Sequence, residues 1–377
     1  MIAPNINESE NDFLVRLKQE TDYTWSYISD LLNSYYGHNY KSDSYRKRYY
    51  KIVDGDIQNT STYDEIIDQK KNSDERTELN AKYRALARED TIKEIAHDYA
   101  SIMNKEKKLN PKPRVTLDWI QNNQDKAGIL LISDWHYGIE IDNFYNVYNP
   151  EITKDRVSNL RDEVIYIINK ENLSQITIVN LGDMIAGNIH LPLRLQSRQD
   201  VISQVMEVSE LIAELINELS EFCMVDYYSV LDNHSRIDPN KKESIQLESL
   251  CRITDWYLKE RLNRAEITIH DNEYGPDIAD FNVLGFDVLA THGDKDKPNN
   301  IISKLSLYTQ NHFDLICSAH YHHFSYSEDN DTIVIGNGSL MGTDQFAHDL
   351  RLNNKPSQTF IVVSRDNIVD SIHKINV

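Results

Sequence analysis

The chain has 377 residues, of which 40% are apolar and 27% charged, with 40 Lys and Arg against 60 Asp and Glu. That is enough for one large domain and one or two small ones. No apolar run reaches the length of a membrane-spanning helix, and the start, MIAPNINESENDF, lacks the basic-then-apolar order of a secretion signal. A cytoplasmic location with no membrane partner is therefore expected. Cys223, Cys251 and Cys317 are odd in number and form no CxxC pair, which disfavours a disulfide framework or zinc ribbon and reads as three small buried apolar residues. The net charge of −20 argues against a polyanionic partner, but it is unevenly spread. Residues 1–124 carry 19 Lys and Arg against 21 Asp and Glu, whereas residues 125–377 carry 21 against 39.

In chain order, residues 1–57 read as a small helical module. Thr24 caps a helix bearing Trp25, Ile28, Leu31 and Leu32 at helical spacing, and Gly37 stops it. Ser42 or Asp43 caps a second helix with Tyr45, Tyr49, Ile52 and Val53 on one face, a layout like a helix-turn-helix. Residues 58–124 read as a polar linker over 58–77, a long amphipathic helix over 79–103 and the basic, proline-bearing segment 105–114.

From residue 125 to 377 short apolar runs alternate with amphipathic helices. The runs are AGILLIS, QITIVNL, MVDYYSVL, FDVLAT, FDLICSA and DTIVIG; the helices are expected over 156–169, 201–221 and 243–263. This is the pattern of an α/β domain with buried strands. Five runs are followed by Asp, Asn or His: Asp134-Trp135-His136, Gly182-Asp183, Asp232-Asn233-His234, His292-Gly293-Asp294 and His320-Tyr321-His322-His323. Loops at the carboxyl ends of strands can converge on one crevice. Imidazole and carboxylate donors without a thiolate suit Mn²⁺, Fe²⁺ or Zn²⁺, and seven of them exceed one tetrahedral ion but serve two ions bridged by a carboxylate.

The series D-x-H, G-D, N-H, H-G, H-x-H, spread over residues 127–340, resembles the calcineurin-like metallophosphoesterase superfamily. The resemblance implies a four-layer αββα sandwich. It implies that Asp134, His136 and His322 hold one metal, that Asn233, His292 and His320 hold a second, and that Asp183 bridges them. It also implies hydrolysis of a phosphate ester by a metal-bridging hydroxide, with Asp183 and Asn233 in the catalytic set and His234 as general acid. The chain departs from the family pattern at Asp232 and Ala319, where glycine is usual, and at the additional His323. The second motif reads GDMIAGNIH rather than GDxxDRG, which lowers a protein-phosphatase reading.

His190, Arg236 and Asn337 are candidate substrate contacts; Arg194 and Arg198 are expected in ordinary surface ion pairs. In KSDSYRKRYYK, Lys41, Arg46, Lys47, Arg48 and Lys51 interleave with tyrosines, a composition suited to phosphate contact and base stacking. The layout resembles phage-encoded metallophosphoesterases with an N-terminal helix-turn-helix and, remotely, the nuclease subunit of SbcCD. These resemblances imply a manganese-dependent DNA nuclease or phosphodiesterase in a host cytoplasm, compatible with a homo-oligomer. A phosphatase or phosphodiesterase for a small, even cyclic, nucleotide is the second reading, and a non-catalytic DNA-binding protein with a structural metal site the third.

Overall fold

The computed structural model describes residues 3–53, 124–189, 191–344 and 353–377, with Lys71, Glu94, residues 97–99, residues 101–103, Lys105, Leu109, Trp119, Ala347 and Arg351. The linker expected over 58–77, the helix over 79–103 and the segment 105–114 lie outside the described residues, apart from those single positions. Those at 94, 97–99, 101–103 and 105 are helical. The chain divides into two compact units, Met1–Arg84 and Ala85–Val377.

The first unit contains helices α1 (Glu10–Glu20), α2 (Trp25–Tyr36) and α3 (Ser42–Val53). α1 goes beyond the two helices expected. Its signals are local: the Ser9 hydroxyl accepts the N–H of Asp12 as a cap, and Phe13, Leu14 and Leu17 share one buried face. α2 begins at the Thr24 cap and ends where Gly37 adopts φ 69°, both as expected. α3 begins at Ser42, which corrects both Ser42 and Asp43 from cap to first-turn residues; there the charge of Asp43 complements the helix dipole. Phe13, Leu14 and Leu17 pack on Ile28, Leu31, Leu32 and Tyr45, each worth about 1.5–3 kcal/mol when buried.

From residue 124 the second unit runs through β1 (Lys126–Ile132), the hairpin β2 (Ile141–Asp142) and β3 (Val147–Tyr148), α4 (Pro150–Glu171), β4 (Gln175–Asn180) and the short α5 (Leu191–Gln196). It continues through α6 (Val201–Leu219), β5 (Met224–Ser229), α7 (Cys251–Arg261), β6 (Ile267–Ile269), β7 (Ile278–Val283), β8 (Phe286–Thr291) and α8 (Ile301–Thr309). It closes with β9 (Leu315–Ser318), β10 (Ser325–Asp329), β11 (Thr332–Gly336), β12 (Ser357–Ser364) and β13 (Ser371–Asn376). One sheet has the order β13-β12-β1-β4-β5-β6 and the other β10-β11-β9-β8-β7.

The two sheets pack face to face. Alternate residues of β1 part company: Ala127, Ile129 and Leu131 join Val288, Ala290, Leu315 and Cys317 of the second sheet in one core, while Leu130 and Ile132 join α4, α6 and α7 in another. That split follows from the twofold period of a strand. On the far side, Leu289, Ile316 and Val334 meet Ile301 and Leu305 of α8. The layers are thus helix, sheet, sheet and helix, the four-layer αββα sandwich that the motif series implied.

All six apolar runs are strands. The helix expected over 243–263 occupies only Cys251–Arg261. The preceding residues are held by non-helical bonds, with Leu250 N–H donating to Ser235 O at 2.7 Å and Ile237 N–H to Glu248 O at 3.1 Å. Tertiary pairing here overrides local helix preference.

Candidate metal centre

In the first sheet β1, β4 and β5 run parallel, and in the second β8, β9 and β11 do. Parallel strands deliver their following loops to one edge. The loops after β1 and β4 then lie side by side: Asp134 N–H donates to Gly182 O, and His136 N–H to Asp183 O, each at 3.0 Å. In the second sheet Ala319 N–H donates to His292 O at 2.9 Å.

Backbone conformation aims the side chains. Asp134, His136, Asp183, His320 and His322 have φ of 53°, 44°, 54°, 69° and 59°, all in the left-handed region. Each such non-glycine residue costs of order 1–3 kcal/mol, a strain that clusters at functional sites. Asp232 and Ala319 are not among the positive-φ residues, so these departures from glycine bring no backbone strain. Gly182 is different: with φ 93°, an added Cβ would lie 2.5 Å from Cβ of Asp232.

Two groups of ligand atoms result, each within 4.8 Å: Asp134, His136, Asp183 and His322 in one, Asp183, His292 and His320 in the other. Asn233 joins the second, with Oδ1 2.9 Å from Nε2 of His292. All seven expected ligands therefore meet, and Asp183 is shared. His323 is in neither group; it is exposed, with Nδ1 on the carbonyl of Tyr321 at 2.9 Å.

The fit to cations rests on lone pairs that face one another. Asp134 is 0% exposed; Oδ2 accepts the Ser133 hydroxyl at 2.7 Å, while Oδ1 is buried without a hydrogen-bond partner, 3.2 Å from Nε2 of His322. Nδ1 of His292 must carry hydrogen, because it meets the carbonyl of Leu181 at 2.7 Å. In the neutral ring, Nε2 therefore presents its lone pair to Asn233 Oδ1. Likewise Nε2 of His136 lies 3.2 Å from Nε2 of His322. Such pairs need a shared proton or a cation between them. In the metal-free protein, burial works against the His292 imidazolium, but the carboxylates, Asp183 foremost, overcome it and raise its pKa to about 10. Burial, reinforced by the charge of His234, pushes His136 down to about 3. A pair of divalent cations suits this nitrogen and oxygen donor set.

His234 lies beside the cage without belonging to either group. Its backbone N–H donates to Asp183 Oδ1 at 3.2 Å, and its Nδ1 donates to Ala186 O at 2.9 Å. Nε2 is thereby turned toward Asp183 Oδ2, 3.9 Å away.

Comparison with known proteins places the chain beside a prophage protein. Residues 3–64 match the family described as YonJ N-terminal domain. Over 377 aligned positions the chain is 24% identical to the SPbeta prophage-derived uncharacterized protein YonJ of Bacillus subtilis strain 168, covering 93% of this chain and 92% of that one. Among solved structures it is similar to a novel archaeal phosphodiesterase, at 15% identity and TM-score 0.35, covering 66% of this chain and 99% of that one. It is also similar to Vps29 complexed with zinc from Entamoeba histolytica, at 12% identity and TM-score 0.33, covering 66% and 98%. The chain is thus similar, over most of its length, to a phage-derived protein.

The candidate substrate contacts fare differently. His190 lies outside the described residues. Arg236 folds back on its own loop: its guanidinium donates to the carbonyls of Asn233 at 3.1 Å and Pro239 at 3.2 Å, steadying the ligand loop. Asn337 is 1% exposed, and its amide donates to Ser133 Oγ at 2.9 Å and Leu131 O at 3.3 Å. Its expected role as a substrate contact is corrected to that of a support, because Ser133 passes the restraint to Asp134. Arg198 pairs with Glu151 at 3.2 Å on the surface, as expected; Arg194 is exposed. Ser133 and Gln358 were not anticipated. Gln358 Oε1 accepts from the N–H of Ser133 at 2.8 Å and the indole of Trp135 at 3.2 Å. The one available signal was a glutamine inside the apolar run SQTFIVVS.

In the first unit Lys41, Arg46, Lys47 and Lys51 are exposed. Arg48 is half-buried and pairs with Glu10 at 3.2 Å, bracing α3 against α1.

Proposed function

We propose that the second unit is a metal-dependent phosphoesterase cleaving phosphodiester bonds, with nucleic acid, DNA first, as substrate. The observation that carries this reading is the sharing of Asp183 between two ligand groups. Two divalent cations, manganese by preference, would be held by Asp134, His136 and His322, by Asn233, His292 and His320, and by the shared Asp183, and would neutralise charge on the phosphoryl oxygens and acidify water. The protein's own residues do the rest. Asp183 fixes His234 by accepting its backbone N–H at 3.2 Å. The carbonyl of Ala186 holds the His234 ring by Nδ1 so that Nε2 faces the cage, from where an Nε2 proton passes to the departing oxygen as its bond to phosphorus breaks. Asn233 is held in turn by Arg236 through its carbonyl. The first unit, with Lys41, Arg46, Lys47 and Lys51 exposed, recruits DNA in a helix-turn-helix-like manner. The resemblance to a prophage protein supports a phage origin and action in a host cytoplasm. Among the described residues no helix is long and apolar enough to cross a membrane.

A second reading, hydrolysis of a small or cyclic nucleotide, is favoured by charge, since residues 125–377 hold 39 Asp and Glu against 21 Lys and Arg and repel a long polyanion. The deciding experiment incubates the full chain with Mn²⁺ and single- or double-stranded DNA, beside Asp183→Ala. Cleavage lost in the variant supports the nuclease. Hydrolysis confined to small diesters, unaffected by oligonucleotide competitors, supports the second reading. No hydrolysis of any phosphate ester removes both.

A further inference from the structure

The β2–β3 hairpin is built onto the metal-ligand loop. At its base the Tyr148 hydroxyl donates to the carbonyl of Trp135, which sits between ligands Asp134 and His136. At its tip Asn143 Oδ1 accepts the N–H groups of Tyr145 and Asn146, each at 2.9 Å. Asn146 Nδ2 then donates to Met341 O at 2.8 Å and Thr343 O at 3.2 Å. Met341 N–H in turn donates to Asp134 O at 3.2 Å. Arg156 locks the joint, donating to Met341 O at 2.7 Å and Asn146 Oδ1 at 3.0 Å. On this tethered base the tip carries Phe144, 89% exposed, and Tyr145, 51% exposed, edge to face at 5.0 Å.

Resting on the phosphoesterase reading above, we infer that Phe144 and Tyr145 form a stacking platform for an unpaired nucleobase of the substrate held at the metal centre. A phenylalanine ring left in water on a tethered turn contributes little to folding, whereas a base offers it a π face. The charge balance points the same way. Away from the ligand groups an acidic unit gains little from phosphate contacts, so further affinity for a nucleotide rests on contacts that carry no charge. A duplex hides its base faces, so the substrate class is single-stranded nucleic acid or a nucleotide.

The test measures binding of the full chain to a labelled single-stranded oligonucleotide, to an abasic strand with the same number of phosphates, and to duplex, by fluorescence anisotropy in EDTA. The wild type is expected to bind the base-bearing strand roughly tenfold or more tightly than the abasic one. Phe144→Ala/Tyr145→Ala removes that difference and leaves abasic binding and Tm unchanged. With Mn²⁺ present, the same variant raises KM for thymidine 5′-(p-nitrophenyl) phosphate at constant kcat where a mononucleotide is the source of the base. Equal binding of base-bearing and abasic strands by the wild type overturns the platform, as does a loss of duplex binding in the double variant as large as its loss for the base-bearing strand. So does a double variant that binds like the wild type, or one that alters only self-association, which assigns the rings to a second copy. Hydrolysis of bis(p-nitrophenyl) phosphate, which has no base, tests the phosphoesterase reading separately.

Discussion

Nε2 of His292 lies 3.3 Å from Oδ2 of Asp183, and this contact joins the second ligand group to the residue it shares with the first. Asp183 is therefore expected to govern both metal positions. Asp183→Ala is expected to lower bound metal at both and to cut hydrolysis by at least the roughly 100-fold that losing an outer-shell partner already costs. Elemental analysis of the purified variant checks the first, initial rates the second. Two tightly held metals in the variant would refute the bridging role.

His234 is expected to act on the leaving oxygen rather than on the metal. His234→Ala should keep metal content near normal while turnover falls on the order of 100-fold or more. Loss of metal would make it a ligand instead.

Asn337 and Ser133 hold the Asp134 carboxylate through two successive hydrogen bonds, at 2.9 Å and 2.7 Å. Ser133→Ala and Asn337→Ala should each weaken metal binding by roughly 10–100-fold, read by titration calorimetry, with Asp134 itself unchanged. Wild-type affinity in both would show that Asp134 needs no such support.

Asp255 offers a pH test away from the ligands. Burial, with the charge of Asp271 adding to it against the hydrogen bond from Ser229, raises its pKa from 3.8 to about 6. Below the lower value both folded and unfolded chains hold the proton. Between the two the unfolded chain releases it while the folded chain keeps it, so stability falls as pH rises, and the full penalty is present above the upper value. Asp255→Asn should therefore raise stability by about 1–2 kcal/mol near neutral pH, and the gain should vanish on acidification. Thermal melts across that range decide; an equal gain at every pH would assign it to packing.

The exposed cations of α3 are expected to touch phosphates. Arg46→Gln/Lys47→Gln/Lys51→Gln should weaken DNA binding uniformly across sequences and flatten its salt dependence, by about 0.9 in log–log slope for each phosphate no longer neutralised. An unchanged slope would leave α3 a solvated basic face.

Much of the architecture was legible in the chain. Each of the six apolar runs is a strand, because a strand covered on both faces needs side chains that avoid water throughout. The ligand types were legible too, since divalent cations restrict donors to a few residues placed after those runs. α1 is masked by the polarity of its segment, although Ser9 and Phe13 carry its signals. The false start of α7 had a tertiary cause: Leu250 and Ile237 find backbone partners outside any helix.

Sequence by itself determined which atoms are available to a metal, and in what order along the chain. The motif series implied the sharing of Asp183 and the choice of His322, and the tertiary structure brings both about; it alone decided that His323 is left exposed and that Asn337 is a buried support. The physical reason is that these outcomes depend on left-handed backbone turns and on hydrogen bonds between distant residues, such as Asn337 and Ser133, 204 positions apart. Neither leaves a local pattern. A side chain's chemistry is written at its own position, but its direction is set by residues far away.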